Sequence, residues 1–177
     1  MDVPKIGINK ILYTTDLSES GRHAFAYAAS LAHQYGAELT VYHVVHQDSE
    51  PHKSLSTFMS DELWESLKKQ NLETAMETLL ERRRDDTYIK QCIGEFCEGV
   101  QSAGPANPYV EYTVAVDLGH PVEKILEFAD KEGYDCIVMA SHGHSTFQGA
   151  MLGNTVRRVL RRAKQPVLVV RVPESKK

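Results

Sequence analysis

The stretch "KILYTTDLSESGRHAFAYAASLAHQYGAELTVYHVV", residues 10–45, contains three elements in an order that decides the fold. It opens with a short apolar run of strand-forming residues. Apolar residues then recur at helical spacing up to Tyr35, between Ser18, which suits a helix N-cap, and Gly36, which suits a helix end. A nearly continuous apolar run over residues 37–45 is typical of a parallel strand buried on both faces. The stretch therefore predicts a β-α-β unit, and such units cross over right-handed.

Further strands are predicted after this unit. Residues 109–116 partly alternate apolar and polar side chains, which is typical of a strand near a sheet edge, and residues 117–121 follow as a loop. Residues 135–141 and 165–172 contain short apolar runs that suit buried strands. Together with the first two strands they predict an α/β fold, with a five-stranded parallel, doubly wound sheet.

Two helical patterns separate these later strands. The first starts at Pro121, which suits the first helical turn, and ends at Gly133. The second starts near Asn154, and its inward-facing positions are Val156, Val159, Leu160 and Ala163. With the earlier helix, they are predicted to cover both faces of the sheet.

Residues 46–108 are predicted to form an extended helical insertion within one domain that spans residues 1–177. A chain of 177 residues corresponds to a single domain that can bury its own core. The insertion begins with a polar loop. A helical pattern then runs from Ser60 to Val100, either as one helix or as two helices with a break near residues 85–87.

The composition argues against several classes of protein. The formal net charge is −4 and no nucleic-acid-reading motif occurs, so nucleic-acid binding is not expected. No apolar run approaches the roughly 20 residues of a membrane helix, and the N-terminus lacks signal-peptide features, so the expected location is cytoplasmic rather than at a membrane. Cys92, Cys97 and Cys136 have neither zinc-site nor redox spacing, and they are expected to be buried or half-buried thiols.

A glycine-containing loop over residues 140–153 links the fourth predicted strand to the last helix. Gly153 directly precedes that helix, where free N–H groups and the positive end of the helix dipole favour phosphate. The same residues are also typical of a flexible loop before a helix capped by Asn154, and the pattern alone leaves both interpretations open. The chain has neither the P-loop motif nor the dinucleotide-binding glycine motif.

Three loops leave the carboxyl ends of predicted strands: residues 14–18, 44–47 and 140–153. In an open parallel sheet, ligands bind beyond such ends, where the strand order reverses. We therefore expect these loops to converge on one crevice. Asp16 lies in the first loop, where an aspartate is also common as an ordinary turn or cap residue.

The chain resembles a universal stress protein domain in three stretches, residues 11–45, 119–145 and 152–170. The second reads "GHPVEKILEFADKEGYDCIVMASHGHS" and the third "LGNTVRRVLRRAKQPVLVV". Nucleotide-binding members of that family carry the pattern G-x-x-G-x9-G-[ST]. Gly143 and Gly153 stand at its second and third glycines, whereas Ala140 replaces the first glycine and Asn154 replaces the Ser or Thr.

This resemblance implies an ATP site, with any magnesium ion held by the phosphates. By the same likeness, Asp16 lies beside the adenine or ribose, and Val44 offers backbone groups and an apolar wall to the adenine. Thr14 stands where the family often has proline, and Met139 lies on the strand that leads into the site. The predicted site residues are Thr14, Asp16, Val44, Met139, Ala140, Gly143, His144, Gly153, Asn154 and Thr155.

The departures from the pattern have physical consequences. Alanine at position 140 adds a methyl group at a strand end, close to where a ribose or phosphate would lie. Asn154 can cap a helix or donate an amide N–H to phosphate, and the neighbouring Thr155 supplies the hydroxyl that asparagine lacks.

His142 and His144 raise the alternative of a metal site, with His43 and His120 as further candidate ligands. No Asp, Glu or Cys in the loop completes the four ligands that a structural zinc ion usually needs. We therefore interpret these histidines as hydrogen-bonded or solvent-facing side chains.

The last predicted helix carries a basic run. Its inward positions are apolar, so the run is interpreted as a solvated helix face, although one arginine near the helix start lies within reach of a phosphate. The basic residues are Arg157, Arg158, Arg161, Arg162 and Lys164.

The resemblance further implies strand order 3-2-1-4-5 and a homodimer that pairs through the last strand, from Pro166 to Val170. An apolar strand at a sheet edge favours such pairing. The leading hypothesis is a regulatory stress-response protein in which ATP orders residues 140–153 and hydrolysis is slow or absent. One alternative is a nucleotide-free dimer that acts on an unidentified protein partner through the insertion. Another is an ATPase or small-molecule hydrolase at the same crevice.

Overall fold

A computed structural model describes residues 6–45, 86–102, 109–143 and 152–172. Within these ranges the strands are β1 (Lys10–Thr14), β2 (Glu38–Val45), β3 (Tyr112–Leu118), β4 (Cys136–Ala140) and β5 (Val167–Val170). The helices within them are α1 (Glu19–Tyr35), α2 (Asp86–Gln101), α3 (Pro121–Glu132) and α4 (Asn154–Arg162).

The strands form one parallel sheet in the order β3-β2-β1-β4-β5, so the predicted fold class and strand order are confirmed. The strand β1 lies at the centre, with Thr14 opposite Tyr42 of β2 and Met139 of β4. From β1 the chain adds β2 and β3 on one side, and it then crosses back to add β4 and β5 on the other side. The reversal therefore falls between β1 and β4, where the two crossing connections diverge and leave a crevice.

The helices cover both faces of the sheet, as predicted. On one face α1 and α2 pack on strand residues such as Ile11 and Tyr13. On the other face α3 and α4 pack on residues such as Leu12 and Tyr42. Neighbouring residues of β1 enter opposite clusters because side chains alternate along a strand. Each described helix is too short or too polar to cross a bilayer.

The ends of α1 follow the predicted capping chemistry. The hydroxyl oxygen of Ser18 accepts a hydrogen bond from the Gly21 amide at 3.2 Å, and Gly36 ends the helix with φ of 62°. That left-handed conformation is one that glycine adopts without steric cost. Tyr35, which fits the apolar spacing of this helix, is nevertheless 55% exposed.

The edge strand β3 is displaced from its predicted position. It starts at Tyr112 rather than at residue 109, and it continues through Asp117 and Leu118, which were predicted to lie in a loop. Its pairing with β2 explains the difference, because Asp117 and Leu118 continue the ladder opposite Val44 and Val45. The backbone hydrogen bonds of the partner strand outweigh the weak strand preference of aspartate.

The helix α2 is the part of the predicted insertion that the structure describes. It shows the expected spacing, because Ile89, Ile93, Phe96 and Cys97 are all buried, most of them against α1 and the sheet. The polar loop, the pattern from Ser60 and the turn before residue 109 lie outside the described residues.

The cysteines are free thiols, and Cys97 and Cys136 are buried whereas Cys92 is half-buried, as predicted. Burial raises the pKa of the Cys97 thiol to about 12. Burial also raises the pKa of the Cys136 thiol above its ordinary value. Both side chains therefore act as small apolar groups of the core.

The C-terminal half of α4 is tied to α3 by charged side chains. Arg162 forms two hydrogen bonds to the carboxylate of Glu123, at 2.5 and 2.8 Å. The hydrogen bond to Arg162 lowers the pKa of Glu123. Leu160, predicted to face inward, is 40% exposed. Val156 and Val159 fill the inner face, and the next position lies at its margin because successive helical residues turn by about 100°.

Asp135 joins the start of β4 to the start of β1. Its carboxylate accepts hydrogen bonds from the amides of Asn9 and Lys10, at 2.7 and 3.0 Å, and its own amide donates to the carbonyl of Lys10. The backbone hydrogen bond from Asn9, followed by that from Lys10, lowers the pKa of this carboxyl group.

We expect Asp135→Asn to lower the free energy of unfolding by about 1 kcal/mol at pH 7, because the amide oxygen can still accept these hydrogen bonds but lacks the negative charge that strengthens them. A carboxyl group with a lowered folded-state pKa stabilises the fold above its unfolded pKa of about 3.9, and this contribution is lost as the pH falls through the folded value. Urea unfolding of both proteins at pH 7 and below pH 4 measures the difference. The difference should shrink in acid, and an equal difference at both pH values would contradict the assignment.

Candidate functional site

A cavity of about 390 Å³ opens at the carboxyl ends of β1, β2 and β4, beside the N-terminus of α4. Small-molecule sites usually measure about 300–1,000 Å³. The loops predicted to converge after β1 and β4 do so here. The predicted residues that line the cavity are Thr14, Asp16, Val44, Met139, Ala140, Gly143, Gly153, Asn154 and Thr155. His144 lies outside the described residues.

Other residues line the same cavity and were not in the predicted set. Pro121 and Ile125 of α3 belong to it because this helix packs beside the end of β2. The helical period of α3 placed Ile125 on an inner face, but it did not indicate which end of the sheet that face covers. The remaining additional residues are Thr15, Gly21, Tyr42, His142, Leu152, Val156 and Arg157.

The loop after β1 is fixed to β2 by hydrogen bonds. The amide of Thr15 donates to the carbonyl of Tyr42 at 3.0 Å. His43, which is buried, contacts the carbonyl of Thr15 through Nδ1 at 2.8 Å. A carbonyl only accepts, so Nδ1 carries the proton in this contact. The end of β1 is therefore anchored to its neighbour immediately before Asp16.

The same loop contains a strained residue. Leu17 has φ of 64°, the left-handed region that residues with a side chain rarely adopt. Two local hydrogen bonds hold it, from the Leu17 amide to Thr15 Oγ1 at 2.9 Å and from the Ser18 amide to Asp16 Oδ1 at 3.1 Å. Strain that the surroundings maintain is common at ligand sites. Here it directly follows Asp16, which lines the cavity.

Close packing under the loop depends on Gly21 in the first turns of α1. The hydroxyl of Tyr13 donates to the carbonyl of Gly21 at 2.7 Å. A Cβ atom at position 21 would lie 2.8 Å from Thr15 Oγ1 and 3.2 Å from the Tyr13 hydroxyl. Burial raises the pKa of Tyr13 well above its ordinary value, so the phenol stays neutral and remains a donor.

Asp16 and Gly143 bring the loops after β1 and β4 into contact. The Asp16 carboxylate occupies the space into which a side chain at position 143 would project. A side chain at this position would displace the Asp16 carboxylate, whereas the backbone conformation of Gly143 is not one that favours glycine. This contact fixes one wall of the cavity.

The N-terminus of α4 forms the opposite wall. Gly153 is the N-cap residue, with no side-chain cap hydrogen bond, and its amide donates to the carbonyl of Ser141 at 2.8 Å. The interpretation of Asn154 as the helix cap is therefore wrong, because Asn154 is the first helical residue. A helix without a side-chain cap leaves amide donors of its first turn available at the cavity.

The end of the cavity near β2 is apolar and rigid. Tyr42, Val44, Ile125 and Met139 contribute to its surface. The Tyr42 ring stacks on Phe128, with centroids 4.4 Å apart and planes 5° from parallel. The Tyr42 hydroxyl donates to Asp117 Oδ2 at 2.7 Å, and burial together with this hydrogen bond raises its pKa. Such a surface suits a flat aromatic ring.

The histidines that suggested a metal site are placed differently from one another. His142 lines the cavity, and its Nδ1 lies 2.9 Å from the Ser141 hydroxyl. His43 bonds to the loop after β1, as described above, and His144 lies outside the described residues. Within the described ranges, no group of three or more His, Cys, Asp and Glu side chains is placed to hold a metal ion.

Comparison with known proteins identifies the family. The model of the universal stress protein family matches residues 7–171. The chain belongs to the universal stress protein family. A relative, the universal stress protein MJ0531 of Methanocaldococcus jannaschii, is 28% identical over 166 residues, which cover 94% of this chain and 84% of the relative.

Solved structures of universal stress proteins share the fold. UspA from Lactobacillus plantarum superposes with a TM-score of 0.66 at 20% identity, covering 94% of this chain and 100% of that one. A universal stress protein in complex with cAMP superposes with a TM-score of 0.55 at 19% identity, covering 94% of this chain and 98% of that one. At these identities the likeness concerns the fold.

The contact between Asp16 and Gly143 predicts a coupled pair of substitutions. Gly143→Ala should lower the free energy of unfolding by about 1–3 kcal/mol, because the new methyl group displaces the Asp16 carboxylate. In an Asp16→Ala background the same change should be milder by about 1 kcal/mol or more, since the displaced group is gone. Urea unfolding of the four proteins gives the coupling.

Gly94→Ala is the matched control for this cycle. Gly94 lies in α2, and a Cβ atom there would meet nothing within 4 Å. That substitution should stabilise the protein by about 0.5–1 kcal/mol through helix propensity. Equal effects of Gly143→Ala in the presence and absence of Asp16 would rule out the steric explanation.

Proposed function

We propose that this universal stress protein is a regulatory protein that binds ATP in the cavity between β1 and β4, with slow or no hydrolysis. The observation that carries the proposal is the juxtaposition of an apolar, aromatic wall at β2 with an uncapped helix N-terminus at α4. A nucleotide has the same division, with an apolar base at one end and phosphates at the other. The structure of a family member in complex with cAMP supports an adenine nucleotide as the ligand class.

The base would lie at the apolar end. Tyr42 is held by its stacking on Phe128 and by its hydrogen bond to Asp117, so this wall is formed before a ligand arrives. A preformed apolar wall binds a flat ring without the entropic cost of ordering side chains. Val44 is the second-to-last residue of the same strand and lines the cavity, which supports its expected place beside adenine.

The ribose would lie near Asp16, in the middle of the cavity. Asp16 follows β1, the central strand, and lies between the apolar wall of β2 and the helix start beyond β4. A carboxylate accepts hydrogen bonds from two neighbouring hydroxyl groups, which suits a ribose and disfavours a phosphate at the same place. The strained Leu17 and the Ser18 amide hold the carboxylate in position.

The phosphates would lie at the start of α4. The amides of the first helical turn point toward the cavity, and the helix dipole adds a favourable field. Asn154 and Thr155 both line the cavity, so an amide N–H and a hydroxyl stand where the family pattern has one Ser or Thr. Any magnesium ion would be held by the phosphates.

In this proposal ATP is a regulatory ligand and is not hydrolysed at a significant rate. Asp16 is the only carboxylate among the described residues that line the cavity, and the proposal assigns it to the ribose rather than to an attacking water. Bound phosphates would instead order residues 140–153. The free thiols support a reducing compartment, and hence the cytoplasm, as the place of action.

Gly153→Ala is expected to change the affinity for ATP while leaving the stability of the fold nearly unchanged. A Cβ atom at position 153 would lie 3.6 Å from its nearest neighbours, an ordinary contact, and the φ of −57° suits alanine. We expect the free energy of unfolding to change by less than about 1 kcal/mol, whereas ATP affinity falls about tenfold because the methyl group covers the phosphate site. Calorimetric titration with ATP and thermal unfolding measure the two effects.

Asn154→Ser is the companion variant, since it restores the residue of the family pattern. Its ATP affinity should equal or exceed that of the wild type. A wild-type protein that binds no ATP, and shows no rise in melting temperature with ATP, would refute the proposed function. Phosphate release far above that of Gly153→Ala would favour the ATPase alternative.

We further propose that two chains pair through β5. This strand is at the sheet edge, and Leu168 within it is 36% exposed. Val172, two residues after the strand, is 38% exposed, so apolar side chains lie along this part of the chain. An uncovered apolar edge is a surface that a second copy can cover by symmetric pairing.

Leu168→Arg tests this dimer. A charge at the centre of the symmetric contact faces its own copy, so the molar mass measured by light scattering should fall from that of two chains to that of one. Leu118→Arg, at the opposite edge strand, is the matched control and should leave the mass unchanged. A wild type with the mass of one chain, or a dimeric Leu168→Arg protein, would exclude pairing through β5.

A further inference from the structure

We propose that Arg157 is the specificity-determining residue of the site and makes it select nucleoside polyphosphates over nucleosides and cyclic nucleotides. The inference rests on the proposed function, and it concerns a residue outside the pattern of glycines. In the sequence, Arg157 belongs to a basic run that a helical projection assigns to solvent. In the structure it is exposed, as that projection predicts, and it also lines the cavity.

The placement of Arg157 directs its charge to the helix start. Its amide donates to the carbonyl of Gly153 at 3.0 Å, so it lies one turn into α4. Side chains on a helix lean toward its N-terminus, and that of Arg157 therefore extends over the turn that begins at Gly153. The guanidinium group and the first-turn amides consequently face the same volume of the cavity.

Within the described ranges, no residue holds the guanidinium group of Arg157 away from the cavity. It makes no hydrogen bond or ion pair to any residue in the described ranges. Arg162, on the same helix, is bound in two places by Glu123. Arg158 also acts on Glu123, whose pKa it helps to lower. Of these three arginines, the one beside the cavity is the one left to meet an external anion.

The charge distribution around the cavity favours an extended anion. Arg157 is the only lysine or arginine among its described lining residues, and Asp16 is the only carboxylate. Asp16 follows β1 and disfavours phosphate near the centre of the sheet. Arg157 lies beyond β4 and attracts it there. A ligand gains from both groups when its negative charge is held away from its ribose.

This arrangement separates three kinds of adenine ligand. A nucleoside has no anionic group for Arg157. A cyclic nucleotide carries a single negative charge that is fused to the ribose, and so keeps it near Asp16. A linear polyphosphate reaches from the ribose to the helix start, where a guanidinium group binds phosphate oxygens in pairs.

The experiment is calorimetric titration of the full chain with ATP, adenosine and cAMP, in the wild type, Arg157→Gln and Arg161→Gln. Arg161 lies one turn further along the same helix face, is exposed and does not line the cavity, so it is the matched control for net charge. We expect Arg157→Gln to weaken ATP binding about tenfold or more and to leave adenosine binding within about twofold. Arg161→Gln should change neither by more than about twofold, since an exposed charge at that distance is screened by salt.

Each outcome decides the question. In the wild type, ATP should bind more tightly than cAMP, and added salt should weaken ATP binding far more than adenosine binding, a comparison that needs no variant. Arg157→Lys should retain part of the preference, because it keeps the charge but not the paired geometry. If ATP binds but Arg157→Gln leaves the ratio of ATP to adenosine affinity unchanged, or if cAMP binds more tightly than ATP, this inference fails while nucleotide binding stands. If none of the three ligands binds the wild type, both proposals fail.

Discussion

The approach of the Asp16 carboxylate to the α-carbon of Gly143 is the contact on which the rest of the site depends. The two residues follow β1 and β4, strands that are neighbours in space but far apart in the chain. Because the strand order reverses between them, no crossover helix lies over this junction, and the two loops are free to meet. Glycine allows them to touch. The contact joins two of the loops that line the cavity.

The sequence predicted those features that depend on local chemistry. Ser18 and Gly36 identify the ends of α1 because capping is a matter of one or two neighbouring residues. The alternation of strand and helix patterns predicts a parallel sheet. The resemblance to the family pattern implied that Gly143 and Gly153 belong to one site, and both line the cavity. The strand order came from the family resemblance, since no periodicity distinguishes one parallel order from another.

Features that depend on tertiary contacts were beyond the sequence. Gly153 rather than Asn154 caps α4 because the Gly153 amide is engaged by Ser141, a bond made only once β4 is in place. The strand β3 extends because β2 offers it partners. The sequence indicated that one arginine near the helix start lies within reach of a phosphate, but only the structure identifies it as Arg157, which is exposed and lines the cavity. The same helix is tied to α3 by Arg162 and Glu123 at its other end.

The buried thiols of Cys97 and Cys136 have a consequence for a protein of the stress response. Peroxides and disulfides react with the thiolate form of cysteine, and burial keeps these side chains protonated. At the pH of a cell, the pKa of about 12 for Cys97 leaves almost none of it ionised. Both sulfur atoms also lie under packed side chains of the core. Within the folded domain, oxidants are therefore expected to react with these two cysteines far more slowly than with an exposed thiolate.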